Sequence, residues 1–227
     1  ANVPFGAVQL GPNNIFEGWD WCSGYNYSSN TITGFAHTHL SGTGIGDLGD
    51  ISIMPATGKL ILERGKTADD QEGYLSRFSH QNEVAKAGYY RVLLEKYQIK
   101  AELTATERVG FHQYTFNTSG QANVILDLNH RDLLMMGEVR IIDNKTIEVM
   151  RNSEAWARNQ FVYARIEFNQ PMEITKVNNN AFAPAKVTDK FFAGSLLALS
   201  FSKQVKKGEK LLVKVMIRLQ MMQDILS

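Results

Sequence analysis

Apolar and polar residues alternate with a period of two through the middle and end of the chain. In Lys100-Ala101-Glu102-Leu103-Thr104-Ala105-Thr106, the residues Ala101, Leu103 and Ala105 fall on one face. From 161 to 168, Val162, Ala164, Ile166 and Phe168 share a face, and Arg165 and Glu167 take the other. From 212 to 219, Val213, Val215, Ile217 and Leu219 point one way and Lys214 and Arg218 the other. Side chains leave a pleated backbone on alternate sides, so this is the pattern of strands buried on one face. Further strand-like runs cover 89–95, 111–116, 123–128, 139–142, 146–150 and 196–201. Turn residues separate them: Asn117-Thr118-Ser119-Gly120, Asp143-Asn144-Lys145 and Lys206-Lys207-Gly208-Glu209. Many short strands at this spacing predict an all-β fold, an antiparallel β-sandwich or barrel with few short helices. Segments 131–136 and 221–226 are the helical candidates, and the opening Ala1-Asn2-Val3-Pro4-Phe5-Gly6 reads as strand.

The first third is different in kind. Residues 11–50 are rich in glycine, serine, threonine, asparagine and aromatic side chains, and are too long and irregular for a simple connection. Loops of this composition on a β scaffold usually serve a ligand or a neighbouring domain. Phe16, Trp19, Trp21, Tyr25, Tyr27 and Phe35 supply a broad aromatic and polar patch of which several rings are expected to remain accessible, with the core built from later strands. The stretch 63–73 reads as an exposed polar loop. No composition shift divides the 227 residues, which are read as one domain, 1–227.

Composition narrows the function classes. A formal net charge of +1 gives no broad attraction to nucleic acid. No apolar run reaches the roughly 18–20 residues of a membrane span. The single cysteine, Cys22, excludes an intrachain disulfide and a cysteine-built metal site. The chain opens without a charged start and apolar stretch, and a preceding segment is expected to have been removed.

The densest chemistry lies in Gly34-Phe35-Ala36-His37-Thr38-His39-Leu40-Ser41-Gly42-Thr43-Gly44-Ile45-Gly46-Asp47. On a strand, His37 and His39 share a face. A zinc site needs at least one more ligand, and His80, His112 and His130 are scattered, so the preferred reading is histidines hydrogen-bonded in a packed polar layer. Ser41 with His39 and Asp47 or Asp50 invites a nucleophilic triad, without the Gly-x-Ser-x-Gly elbow. The glycine run lacks the lysine of a phosphate loop and suits close backbone approach to a ligand or domain. Asp47 and Asp50 suggest a glycosidase carboxylate pair, but three positions apart in a glycine loop they suit loop hydrogen bonds better. Trp19 and Trp21, in Gly18-Trp19-Asp20-Trp21-Cys22-Ser23-Gly24-Tyr25, offer flat faces of the kind that sugar rings require.

Several of these segments together resemble the N-terminal domain of glycoside hydrolase family 92. They are Val3-Pro4-Phe5-Gly6-Ala7-Val8-Gln9-Leu10, Cys22-Ser23-Gly24-Tyr25, the histidine–glycine run from Gly34 to Gly44, Gly49-Asp50-Ile51 and Ser76-Arg77-Phe78-Ser79-His80. Ala87-Gly88-Tyr89-Tyr90, the run from Ile99 to His112, the segment 152–160 with Trp156, and Leu211-Leu212-Val213-Lys214-Val215 fit as well. The resemblance runs to about Val215, and Met216–Ser227 departs from it. It implies a galactose-mutarotase-like supersandwich that packs on a helical-barrel catalytic domain of the same polypeptide. It implies a periplasmic or secreted bacterial exo-α-mannosidase, an α-1,2-mannosidase acting on mannose-containing glycans with inversion. The acid, the base and most contacts to a required Ca2+ belong to the helical domain, so no catalytic residue and no metal ligand is expected here. This domain's expected contribution is to the sugar pocket, through Trp19, Trp21, His37, His39, Ser41, Gly42, Thr43 and Gly44. Trp19 best fits a tryptophan at the leaving-sugar side, with Trp21 second. The alternative is a stand-alone carbohydrate-binding module. Independent catalysis by Asp47, Asp50 or Glu107 is disfavoured.

Overall fold

The computed structural model describes residues 1–15, 18–21, 23–41, 46–66, 72–179 and 188–221. The strands in chain order are β1 (Gly11–Asn13), β2 (Thr31–Ile32), β3 (Gly34–Ala36), β4 (Ser52–Thr57), β5 (Ser76–Arg77), β6 (Val84–Lys86), β7 (Tyr89–Leu94), β8 (Ile99–Ala105) and β9 (Val109–Phe116). They continue with β10 (Gly120–Asp127), β11 (Leu133–Ile141), β12 (Thr146–Glu154), β13 (Gln160–Phe168), β14 (Glu173–Asn179), β15 (Phe191–Gly194), β16 (Leu197–Val205) and β17 (Lys210–Met221). Two single 3₁₀ turns, Trp19–Trp21 and His80–Asn82, are the helical elements among the described residues.

The strands form a six-stranded sheet, β1-β3-β4-β10-β16-β14, and a nine-stranded sheet, β15-β11-β12-β13-β17-β9-β8-β7-β6, with β2 and β5 paired apart. Neighbours run antiparallel throughout these pairings. The larger sheet consists of two meanders, β6 to β9 and β11 to β13, joined by β17, which pairs with β9 on one side and β13 on the other, with β15 added at the β11 edge. The three turns read from the sequence each join consecutive strands. At one of them the Asp143 carboxylate accepts the Lys145 N–H at 2.7 Å, closing the reversal between β11 and β12.

The inward rows predicted by alternation are buried: Ala101, Leu103 and Ala105 on β8, Val162, Ala164, Ile166 and Phe168 on β13, and Val213, Val215 and Ile217 on β17. The expected inward Leu219 lies outside the described side chains. The sheets share one apolar core. Phe168 of β13 meets Phe201 of β16 with ring centroids 5.6 Å apart, and Phe35 of β3 meets Tyr90 of β7 at 6.4 Å. Burying such a ring contributes roughly 1.5–3 kcal/mol, more than an exposed ion pair, so these cross-sheet contacts fasten the sandwich.

The structure corrects three sequence expectations. Segment 131–136 is not helical: from Leu133 it is β11, paired with β12 and bulged between Leu134 and Met136. Leu and Met are good helix formers, but pairing with β12 overrides that weak local preference. Of the other helical candidate, Met221 ends β17 and 222–226 lie outside the described residues. Second, the opening residues form no strand. Gly6 N–H turns back to the Val3 carbonyl at 3.1 Å, Phe5 takes φ 58°, and the segment then docks by main-chain bonds from Ala7 and Val8 to Glu107 and from Gln9 to His37. Third, the core is not confined to later strands, because Val8, Leu10, Ile32, Phe35, Ile51, Ile53 and Met54 are fully buried within it. In the stretch 63–73, Glu63, Lys66 and Glu72 are exposed while Gly73 is buried, and 67–71 lie outside the described residues.

Candidate functional site

The histidine–glycine segment leaves β3 at one end of the sandwich and returns as β4. His37 is fully buried. Its Nδ1 lies 2.7 Å from the Ile51 carbonyl and its Nε2 lies 2.9 Å from His112 Nε2, on β9 of the opposite sheet. His112 Nδ1 lies 2.7 Å from the Tyr114 hydroxyl. One proton assignment satisfies the whole row: Tyr114 O–H donates to His112, His112 Nε2–H donates to His37, and His37 Nδ1–H donates to Ile51. Both rings are then neutral. Burial, against the Ile51 hydrogen bond, pushes the His37 pKa down to about 4. Burial, and then the neighbouring His37, also hold His112 well below the usual imidazole range.

His39 is half-buried, with Nδ1 2.6 Å from the Gln9 carbonyl and Nε2 2.9 Å from the Asn13 side-chain oxygen. Burial brings its pKa down to about 4 as well. Every ring nitrogen of His37 and His39 is therefore engaged within the fold, in the packed polar layer preferred from the sequence. His37, named from the sequence for the sugar pocket, is a fully enclosed imidazole with both nitrogens bonded, and it supports the loop from within. Ser41 is exposed, and the His39 nitrogens bond elsewhere, so the triad is not assembled. The expected sugar contacts Gly42, Thr43 and Gly44 lie outside the described residues, as do Phe16 and Cys22.

Behind this layer sits a buried charge cluster. Arg151 Nη1 donates to Asp50 Oδ1 at 2.6 Å, Nε donates to the Leu128 carbonyl at 2.8 Å, and Nη2 bonds the Asp132 carboxylate. Burial opposes the guanidinium charge, but Asp50 and Asp132 hold its pKa above the ordinary value. The other Asp50 oxygen accepts the Thr38 hydroxyl at 2.6 Å and the Gln160 amide at 3.3 Å. Leu48, Gly49 and Ile51 around it all take left-handed backbone, at φ 69°, 83° and 53°. A β-branched residue there is strained by roughly 1–3 kcal/mol, and the Asp50 bonds hold the conformation in place. Asp47 accepts the main-chain N–H groups of Trp156 at 3.3 Å and Ala157 at 2.9 Å. It thereby ties the glycine loop to the β12–β13 turn. Neither aspartate is placed as half of a glycosidase acid–base pair.

Two tryptophans stand out from this end. Trp19, on its 3₁₀ turn, is 67% exposed, and Trp156, on the β12–β13 turn, is 82% exposed. Leu133, Met135 and Met136 on nearby β11 are exposed too. Trp21 and Tyr25 are half-buried and Tyr27 is exposed, whereas Phe35 belongs to the core. The outcome is a polar, hydrogen-bonded centre flanked by exposed apolar side chains, and apolar groups gathered on a surface mark places of contact.

Sequence reasoning missed Arg151 and Arg131 as members of this end. Arg151 left a signal: it falls in the inward row of β12 after Ile147 and Val149, where a charge must find buried partners. Arg131 left none, because the Trp21 and Gly46 carbonyls that it reaches belong to loops distant in sequence.

The family model for the glycosyl hydrolase family 92 N-terminal domain matches residues 1–217. The chain belongs to that family. A family GH92 α-mannosidase from Bacteroides thetaiotaomicron superposes at a TM-score of 0.88 and 33% identity, covering 95% of this chain and 30% of that one. The same enzyme in complex with mannoimidazole superposes at 0.88 and 34% identity, over 95% of this chain and 29% of that one. A second enzyme of that organism, described as a family GH92 inverting mannosidase, aligns at 0.76 and 23% identity over 95% of this chain and 28% of its own, and shows the shared fold. No curated protein sequence matches. This family 92 domain thus spans about 30% of the length of the first solved relative. The segments of the family resemblance that are scattered in sequence, around Trp19, His37, Asp50 and Trp156, meet at one end of the sandwich.

Proposed function

We propose that this domain completes the sugar pocket of an exo-α-mannosidase, with its loop end set against a helical-barrel catalytic domain of the same polypeptide. The observation that carries the reading is the 33% identity to an α-mannosidase of which this chain covers only 30%, held across 95% of the chain. The enzyme hydrolyses mannose-containing glycans, with α-1,2 linkages as the substrate class, in the periplasm or as a secreted protein. Inversion requires an acid and a base about 6.5–9.5 Å apart with a water between them. The helical domain supplies both. Trp19 offers its ring at the leaving-sugar side.

Calcium belongs to the helical domain in this reading. The ion requires six to eight oxygen ligands, and the buried carboxylates Asp47, Asp50 and Asp132 are otherwise engaged: Asp50 and Asp132 with Arg151, and Asp47 with two main-chain amides. These residues do not fit a calcium site. The test compares the full-length polypeptide with this chain alone on an α-1,2-linked mannobiose. The full-length protein is expected to release β-mannose first, seen by NMR, and to stop on chelation, while the chain alone is inactive. Turnover by the chain alone would overturn the division of labour, and initial release of α-mannose would overturn inversion. Binding of mannosides by the chain without turnover by the full-length protein would favour a carbohydrate-binding module.

A further inference from the structure

Arg131 lies on the 128–132 link between β10 and β11, far in sequence from both loops it touches. Its Nη1 and Nη2 each donate to the Trp21 carbonyl at 3.2 Å, and its Nε lies 3.5 Å from the Gly46 carbonyl. The Trp21 carbonyl also receives the Gly24 N–H at 2.9 Å, so the end of the Trp19–Trp21 turn is closed by donors from two directions. A slot is built for the Arg131 stem: Gly49 takes φ +83°, and a Cβ there would stand 2.4 Å from Arg131 Cδ. The link is itself clamped, because Arg151 bonds the Leu128 carbonyl at 2.8 Å and the Asp132 carbonyl at 3.3 Å. Arg131 therefore projects from a fixed base. It grips the main chain of the tryptophan turn and leaves the Trp19 ring 67% exposed.

We propose that Arg131 is a positioning residue for the leaving sugar: it fixes the Trp19–Trp21 turn against the glycine loop and so sets the ring on which that sugar stacks. The inference rests on the proposed sugar-facing role of Trp19. A guanidinium suits the task because its planar fork places two N–H donors on one carbonyl while its third nitrogen reaches a second loop, which a lysine ammonium cannot reproduce. Small displacements of a substrate-positioning group have large kinetic consequences, so a loosened turn should be felt wherever the leaving group needs the ring.

The experiment uses the full-length enzyme carrying Arg131→Ala, Arg131→Lys, Trp19→Ala, or Arg131→Ala with Trp19→Ala. Two substrates are compared: an α-linked mannobiose, and α-mannosyl fluoride, whose leaving group has no ring to stack. Arg131→Ala is expected to raise KM for the mannobiose ~10-fold and to leave kcat/KM for the fluoride within about twofold. Arg131→Lys should fall between, and the double variant should be no worse than Trp19→Ala, as expected when one residue acts through the other. Equal losses on both substrates, no loss on either, or additive losses in the double variant would overturn the positioning role. If Trp19→Ala weakens mannobiose turnover and Arg131→Ala does not, the Arg131 inference alone falls. If Trp19→Ala has no effect on the mannobiose, the sugar-facing reading of Trp19 falls and the inference with it. Should Arg131→Ala fail to fold, Arg131→Lys carries the same comparison between substrates.

Discussion

Arg151 and Arg165 sit on neighbouring strands of one sheet, and each faces two carboxylates, yet they do different things. Arg151 and its partners Asp50 and Asp132 have side chains only 1%, 0% and 2% exposed. Arg165 bonds Glu148 and Glu167 at 3.2 Å each, with side chains 44%, 45% and 35% exposed. The exposed set is local, a cross-strand neighbour and a residue two positions on, and water competes for every charge. The buried set joins strands to loops far apart in sequence and admits only a fully bonded arrangement. The difference teaches that the loop end is the specified part of the domain, and the outer face of the nine-stranded sheet is a solvated surface.

The largest expected effect breaks the buried side. Arg151→Met strands the Asp50 and Asp132 charges inside the protein and should destabilise the domain by about 3–5 kcal/mol, read from urea unfolding midpoints. An effect under about 1 kcal/mol would mean that the cluster is not closed to water.

Acid should weaken the same end. His37 titrates near 6.5 when unfolded and at about 4 when folded. The unfolded chain therefore binds the proton more readily, and the stability from the neutral ring is complete above pH 6.5. It declines as pH falls from 6.5 to about 4, by ~3 kcal/mol from His37 alone. Unfolding midpoints at pH 7, 5.5 and 4 check this, and a flat profile would show that the ring is not held neutral.

A smaller change sharpens the packing of the histidine row. A Cβ at Gly110 on β9 would lie 2.7 Å from His37 Cδ2. Gly110→Ala should therefore cost about 1–3 kcal/mol, as overpacking of a filled core does. Thermal unfolding measures it, and an unchanged midpoint would mean that the imidazole has room to retreat.

The smallest effects belong to the exposed side. Arg165→Ala should change stability by no more than about 0.5 kcal/mol, and any difference should fade in 1 M salt, where screening shortens to roughly 3 Å. Trp156→Ala, 82% exposed, should be equally mild for folding. A large loss of stability from either would move that residue from the surface into the fold's support.

How far the chain could be read follows the same division. The strands at 99–105, 160–168 and 210–221 were legible because a period of two is a local signal, set by which side of the backbone each residue leaves. The segment 131–136 was misread because Leu-Leu-Met-Met has no alternation and favours a helix in isolation, and its strand character comes from pairing with β12. Which of the early rings would be buried, as Phe35 is, was not legible, because an aromatic ring in a polar stretch looks the same whether it faces a sugar or the core.

The sequence by itself determined the all-β class, the turns, the inward rows and the family resemblance, since each is carried by neighbours along the chain. It also placed Trp19, Trp21, His37 and His39 in one suggestive segment. Only the tertiary structure decided that His37 would bond His112 across the sheets, that Asp50 would meet Arg151 and that Arg131 would hold the tryptophan turn. Those contacts join residues 75, 101 and 110 positions apart. No local pattern encodes such pairs: they form because a buried charge or imidazole must find a partner inside the fold, and topology alone dictates which one is within reach.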